Sequence, residues 1–74
     1  MPTAIIQARM SSSRLPGKVL LDIAGQPMLT HMVERARRAA TVDQVVVATT
    51  TDPSDDAIQR LCLERGYDCY RGSL

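Results

Sequence analysis

The order of apolar runs and helical segments is the feature that most constrains the fold. Two short runs, at residues 3–8 and 44–49, are apolar and partly β-branched. This composition is typical of strands that are buried on both faces of a parallel sheet. A third short run covers residues 67–71. Segments with helical spacing separate the three runs. The order βαβαβ predicts an α/β fold with a parallel sheet and right-handed crossovers.

The first predicted helix begins at Pro27, whose fixed φ suits a first helical turn. Arginines crowd its C-terminal half, where the helix macrodipole favours cations. Before this helix, residues 19–24 are predicted to form a brief extended or one-turn segment that ends in a turn at Gly25 and Gln26. The apolar residues that recur at helical spacing are Met28, Leu29, Met32, Val33, Ala36 and Ala40.

The second predicted helix has Ser54 as its N-cap and the carboxylates of Asp55 and Asp56 in its first turn. Asp52 is a candidate for an Asx turn just before it. Gly66 suits a left-handed C-cap. The helix is therefore expected to end at Gly66 and to be followed directly by the third strand.

This topology leaves one face of the sheet uncovered. Strands added successively in one direction place both right-handed crossover helices on the same face. A doubly wound domain covers its other face with helices that come later in the chain. We therefore expect residues 1–74 to be the N-terminal part of a larger α/β domain, a truncated gene product, or a chain that must form homo-oligomers.

Composition excludes several classes of function. The net charge of +1 is too small for a polycation, so any affinity for anions must come from local clusters of charge. Arg35, Arg37 and Arg38 lie together on the first helix, but with only two aromatic residues in the chain we expect a solvated face and no nucleic-acid site. No apolar run approaches the length of a membrane span, and a cytoplasmic protein is expected.

Three other residues have side chains that could bind metal or take part in catalysis, but they are predicted to be structural. Cys62 and Cys69 match no zinc-binding pattern, and two cysteines are too few for a disulfide framework. His31 lies beside the apolar stripe of the first helix, with no second histidine or cysteine near it in sequence. We expect His31 to be a packing or partly exposed helix residue.

The segment A-R-M-S-S-S-R-L-P-G-K, residues 8–18, follows the first strand and contains three cations and three serines. Ligands of parallel sheets bind at the carboxyl ends of the strands. Guanidinium and ammonium groups can hold phosphate oxygens there, serines add donors, and Gly17 allows close backbone approach. A solvated surface turn is the alternative. The spacing matches neither a Walker A loop nor a dinucleotide fingerprint.

The same residues resemble a known family. I-I-Q-A-R-M-S-S-S-R-L-P-G-K-V-L at residues 5–20 and I-A-G-Q-P-M-L at 23–29 are similar to the opening of cytidylyltransferases that make CMP-activated sugars. The nearest types are the spore-coat polysaccharide enzymes and the ketodeoxyoctonate and acylneuraminate cytidylyltransferases. The resemblance continues through H-M-V-E-R-A, V-V-V-A-T-T, D-P-S-D-D and R-G-S, and so covers nearly the whole chain.

The resemblance implies a three-layer, Rossmann-like nucleotide-diphospho-sugar transferase fold, here incomplete, that binds CTP and a sugar or sugar acid. It implies a catalytic role for Arg14 and Lys18 at the β- and γ-phosphates. It also implies Mg²⁺, held by aspartates beyond position 74, so that no metal ligand is expected in this chain. The implied nucleotide-binding residues are Arg9, Ser12, Ser13, Arg14, Lys18, Thr49 and Arg71.

Two functions are compatible with these observations. The first is a CTP-dependent transferase that activates a sugar for polysaccharide or glycan synthesis and releases pyrophosphate. The second is a non-catalytic fragment or interaction module that binds nucleotide weakly or not at all. Acidic metal ligands further along the chain would distinguish the two.

Overall fold

The fold is a small parallel sheet with two helices packed on it. The computed structural model describes residues 2–11 and 17–72. Its elements in chain order are β1 (Thr3–Gln7), a 3₁₀ turn (Lys18–Leu20), β2 (Asp22–Ile23), β3 (Gln26–Pro27), α1 (Met28–Arg37), β4 (Gln44–Thr49), a second 3₁₀ turn (Pro53–Asp55), α2 (Asp56–Arg65) and β5 (Asp68–Arg71).

The three longer strands pair in the order β1-β4-β5, all parallel. Thr3 lies opposite Gln44, and Val46 lies opposite Asp68. The helices α1 and α2 connect successive strands of this sheet. The predicted βαβαβ order and the parallel sheet are therefore confirmed.

Both helices cover the same face of the sheet. Val45 and Val47 point from the central strand β4 into a core that contains Leu29 and Val33 of α1 together with Ile58 and Cys62 of α2. On the opposite face, Ile5 of β1 is 65% exposed and Tyr70 of β5 is 66% exposed. The expectation of one uncovered face is thus confirmed for the described residues.

Residues 19–24 were predicted to be extended or to form one turn, and the structure has each conformation in part of this stretch. A 3₁₀ turn comes first, and β2 then pairs with β3 as a short antiparallel hairpin. The predicted turn at Gly25 and Gln26 is wrong by one residue. Ala24 and Gly25 form the turn with φ values of 54° and 86°, which is the two-residue hairpin geometry that matches strand twist.

The helix ends differ from prediction in three places. Helix α1 begins at Met28, because Pro27 belongs to β3 and is extended, and it ends at Arg37 before the predicted Ala40. Ser54 is not the N-cap of α2. The carboxylate of Asp52 accepts the N–H of Ser54 at 2.9 Å, so the chain first makes a 3₁₀ turn and enters α2 two residues later.

The other end of α2 agrees with prediction. Gly66 has the left-handed conformation, with φ 72°, and directs its N–H to the carbonyl oxygen of Cys62. Strand β5 begins at Asp68, one residue after the predicted start, because Tyr67 is buried in the core. In the part of the chain described above, none of the helices is long and apolar enough to cross a bilayer.

Candidate nucleotide-binding site

The carboxyl ends of the three parallel strands meet at one edge of the sheet. The N–H of Ala8, just after β1, donates to the carbonyl oxygen of Ala48 at 2.9 Å. The N–H of Gly72, just after β5, donates to the carbonyl oxygen of Thr49 at 3.0 Å. The segments that follow β1, β4 and β5 therefore leave the sheet side by side, at the edge where parallel sheets bind ligands.

A backbone hydrogen bond between Met10 and Gly17 joins the two ends of the segment after β1, and we call this bond the closure. The N–H of Gly17 donates to the carbonyl oxygen of Met10 at 2.8 Å, and Gly17 has φ 77°, a conformation open to glycine at little cost. Arg9 and Lys18 lie on the two sides of this closure, and both side chains are exposed. The structure thus brings two of the predicted cations to one place. Ser12, Ser13 and Arg14 lie outside the described residues.

Asp55 joins this segment to the segment after β4. Its side chain is 1% exposed, and one carboxylate oxygen accepts the N–H of Met10 at 2.7 Å. The other oxygen accepts the hydroxyl of Thr50. Burial raises the pKa of Asp55, but the hydrogen bonds from Met10 and Thr50 outweigh burial and hold that pKa below its ordinary value. Asp55 is therefore ionised at neutral pH.

Arg71 joins the end of β5 to the same segment. Its Nε donates to the carbonyl oxygen of Thr50 at 2.7 Å, and Nη2 donates to that of Asp52 at 2.9 Å. Its Nη1 lies 2.8 Å from Oε1 of Gln59 and 2.9 Å from Oδ1 of Asp56. Every nitrogen of this guanidinium thus has a partner within the chain. Whether Arg71 also binds nucleotide stays a prediction.

Thr49, which the resemblance also implies as a nucleotide-binding residue, is the last residue of β4 and is 1% exposed. Its hydroxyl points toward the helices and has no hydrogen-bond partner within residues 2–11 and 17–72. The structure brings Thr49 to the correct edge of the sheet, with its side chain covered by protein. Its role in binding also stays a prediction.

Asp52 forms the Asx turn for which it was a candidate. Its Oδ1 accepts from both the N–H and the hydroxyl of Ser54, at 2.9 Å and 2.7 Å. These two bonds lower the pKa of the exposed Asp52 carboxyl. The turn orients the chain so that Asp55, three residues later, faces inward while Asp56 faces solvent.

Magnesium, which the resemblance implies, has no ligand set in the described part of the chain. Nowhere in those two ranges do three histidine, cysteine or acidic side chains come together in a geometry that could hold a metal ion. The carboxylate of Asp52 already stabilises its Asx turn, and the carboxylate of Asp55 already accepts two hydrogen bonds.

His31 and Cys62 have the structural surroundings expected of them. The Nε2 of His31 donates to the carbonyl oxygen of Ile23 at 2.6 Å, which fastens the β2–β3 hairpin to α1. Cys62 is fully buried on the inner face of α2, and burial raises the pKa of its thiol to about 12. A protonated, covered thiol is not a nucleophile near neutral pH.

Sequence reasoning missed Asp55, Thr50 and Met10 as parts of the site. Asp55 was interpreted as a first-turn carboxylate for the helix dipole, and no role was expected for the other two. Two consecutive carboxylates in a helix start do not show which one turns inward. A backbone N–H such as that of Met10 leaves no signal in the sequence at all.

The chain is similar to known proteins over nearly its whole length. A profile of the cytidylyltransferase family matches residues 3–73. The chain is 54% identical over 57 residues to the 3-deoxy-manno-octulosonate cytidylyltransferase of Geobacter sulfurreducens, covering 77% of this chain and 23% of that protein. It is 41% identical over 73 residues to the spore coat polysaccharide biosynthesis protein SpsF of Bacillus subtilis, covering 93% and 30%.

Two solved structures share the fold. A cytidylyltransferase from Leptospira borgpetersenii superposes with a TM-score of 0.85 at 39% identity, over 99% of this chain and 31% of that one. A CMP:2-keto-3-deoxy-manno-octonic acid synthetase complexed with CTP superposes with a TM-score of 0.71 at 43% identity, over 96% and 28%. The chain thus spans less than a third of the length of these proteins, and within that span it belongs to the cytidylyltransferase family.

Proposed function

We propose that this chain provides the triphosphate-binding part of a CTP-dependent transferase that forms a CMP-activated sugar. The observation that carries the proposal is the closed segment after β1. It presents the exposed side chains of Arg9 and Lys18 at the carboxyl edge of a parallel sheet. Family membership over residues 3–73 supports CTP as the nucleotide, because a cationic segment by itself would accept any triphosphate.

The proposed reaction is displacement at the α-phosphorus of CTP. The oxygen of a sugar hydroxyl forms a bond to that phosphorus and gives up its proton to water. The bond from the α-phosphorus to the oxygen that bridges to the β-phosphate breaks, and pyrophosphate leaves with that electron pair. Such a step depends on the positioning of the reactants and on neutralisation of the charge that develops on the leaving group. We assign neutralisation to Lys18 and Arg14, and binding of the nucleotide also to Arg9, Ser12 and Ser13.

Each cation has a chemical reason for its place. Lysine is a mobile point charge that can follow charge as it moves onto the leaving pyrophosphate, whereas arginine holds two oxygens at once with its planar fork. Because Lys18 begins a 3₁₀ turn directly after the Gly17 closure, its backbone is held while its side chain remains exposed. A sugar or sugar acid as acceptor, and a product used for glycan synthesis, are supported by the names of the relatives.

The proposal is tested by an amide NMR titration of the 74-residue chain with CTP, with and without Mg²⁺, and with CMP and GTP as comparisons. We expect CTP to shift the amides of Arg9, Gly17 and Lys18 selectively. Lys18→Gln should lower the affinity for CTP about five- to tenfold, which corresponds to the loss of one charge-assisted contact. The affinity for CMP should not change, because CMP lacks the β- and γ-phosphates.

Arg60→Gln is the matched control, because it removes one exposed cation from the middle of α2. It should leave both affinities unchanged. A dispersed spectrum in which CTP moves none of these amides would contradict the proposal. That result would favour the alternative, a non-catalytic module.

A further inference from the structure

We propose that Asp55 is a positioning residue that holds the base of the nucleotide-binding segment in its binding geometry before CTP arrives. This inference deepens the proposed function and rests on it. The role is distinct from direct binding, since a carboxylate and a triphosphate are both anionic. Asp55 would act on the ligand only through the backbone of Met10.

The burial of Asp55 needs an explanation beyond helix capping. An ionised carboxylate is costly to remove from water unless it is paired or well hydrogen-bonded. Asp55 occupies the N-cap position of α2 but makes no side-chain capping bond there. The neighbouring Asp56 already places a carboxylate in the first turn, with 59% of its side chain exposed. The dipole of α2 therefore does not require Asp55 to be buried.

The hydrogen bonds of Asp55 go instead to two different segments. One oxygen accepts the N–H of Met10, 45 positions away in sequence, and the other accepts the hydroxyl of Thr50. Thr50 is in turn held through its carbonyl oxygen by Arg71 of β5. The segment after β1 is thus connected, through one carboxylate, to the ends of the other two strands.

Met10 is fixed at both of its backbone polar groups. Its N–H donates to Asp55 at 2.7 Å, and its carbonyl oxygen accepts the N–H of Gly17 at 2.8 Å. Arg9 precedes Met10 and Lys18 follows Gly17, so both cations are attached to this one closure. Without Asp55, the closure would be ordered only when the ligand binds, and the cost of that ordering would be taken from the affinity.

The experiment compares Asp55→Ala and Asp55→Asn with the wild-type 74-residue chain, with CTP as the probe. We expect Asp55→Ala to lower the affinity for CTP roughly tenfold and to speed hydrogen exchange at the amides of Met10 and Gly17. Asp55→Asn should lie between wild type and Asp55→Ala in both measurements, because its amide oxygen can still accept the N–H of Met10. The amide of Ala8, bonded to Ala48 within the sheet, should be unchanged in both variants.

Ile58→Val is the control for stability, because the side chain of Ile58 is fully buried on the inner face of α2 and, being apolar, forms no hydrogen bond to the segment after β1. It should lower the melting temperature and leave the affinity for CTP and the Met10 amide as they are. If Asp55→Ala gives no dispersed spectrum and is therefore unfolded, the measurements on Asp55→Asn test the proposal, because asparagine keeps the shape of the side chain.

The outcomes separate this inference from the proposed function. Unchanged exchange at Met10 and Gly17 in the Asp55 variants overturns the positioning role, whatever happens to CTP binding. Faster exchange with unchanged CTP affinity also overturns it. If the wild-type chain binds no CTP, the proposed function has failed, and faster exchange at Met10 and Gly17 then still supports Asp55 as the residue that holds this closure.

Discussion

Asp52 and Asp55 are three residues apart, yet their carboxylates have different surroundings. Asp52 is exposed and accepts two bonds from Ser54, whereas Asp55 is buried and accepts from Met10 and Thr50. In both cases donors that favour the charged form hold the pKa below its ordinary value. The bonds of Asp55 are shielded from water and connect distant parts of the chain, so its ionisation matters more for stability.

Acid should therefore destabilise the fold partly through Asp55. Its pKa in the folded chain lies below the value of 3.8 expected when unfolded, so its contribution is complete above that value and is lost as pH falls through the folded pKa. We expect the free energy of unfolding of wild type to drop more steeply below about pH 4 than that of Asp55→Asn. Urea unfolding at a series of pH values measures this difference.

Asp43→Asn is the matched control for charge, since Asp43 is exposed and precedes β4 at the opposite edge of the sheet. Its acid profile should follow that of wild type. Parallel acid profiles for wild type and Asp55→Asn would show that the low pKa of Asp55 does not contribute to folding.

At the scale of elements, the end of α2 determines how β5 enters the sheet. Gly66 reverses the chain in a left-handed conformation, and the N–H of Tyr67 donates to the carbonyl oxygen of Cys62 at 2.8 Å. Tyr67 is thereby turned into the core, where its hydroxyl donates to Glu34 of α1 at 3.1 Å. The guanidinium of Arg37 lies 4.9 Å from the centre of its ring. One glycine thus connects both helices to the third strand.

Gly66→Ala should destabilise the fold by about 1–2 kcal/mol, the cost of a left-handed residue that carries a Cβ. Apart from the glycine itself and its two chain neighbours, no heavy atom of the described residues lies within 4 Å of the position that a Cβ would occupy, so this cost is conformational and not a steric clash. Gly66→Asn should lose less stability than Gly66→Ala, because asparagine tolerates the left-handed conformation better than alanine does. Urea unfolding measures both variants, and equal stability of Gly66→Ala and wild type would show that the left-handed cap is not required.

At the scale of the whole molecule, the uncovered face of the sheet is the main unpartnered surface among the described residues. Ile5 and Tyr70 are both about two-thirds exposed there, and Val46 between them is only half-buried. Apolar groups that are contiguous across strands and exposed to water favour association. Within residues 2–11 and 17–72, no element covers this face.

We expect the 74-residue chain to self-associate through this face, with sedimentation that depends on concentration. Ile5→Thr combined with Tyr70→Thr should shift the chain toward monomer, since threonine keeps β propensity and removes apolar surface. Leu63→Gln is the control, because Leu63 is 77% exposed on α2, on the other side of the molecule. A wild-type chain that stays monomeric and unfolds cooperatively would contradict this expectation.

Local patterns were sufficient to predict most elements. Strand β4 was predicted with its observed bounds, and the βαβαβ order followed from periodicity, because burial imposes different spacing on strands and helices. The hairpin turn was misplaced because Ala24 has a positive φ that alanine rarely adopts. The N-cap of α2 was misplaced because the side chain of Asp52 caps a 3₁₀ turn that includes Ser54, so that the N-cap position of α2 falls on Asp55.

The sequence by itself determined the fold class, the uncovered face and the cationic segment after β1, since each depends on the spacing and type of residues close together in the chain. Only the tertiary structure decided which carboxylate is buried and which donors it accepts. The bond from Met10 to Asp55 joins residues 45 positions apart, and it exists only because the parallel register brings the ends of β1 and β4 to the same edge. Long-range pairing of this kind arises from the assembled sheet, and no local pattern encodes it.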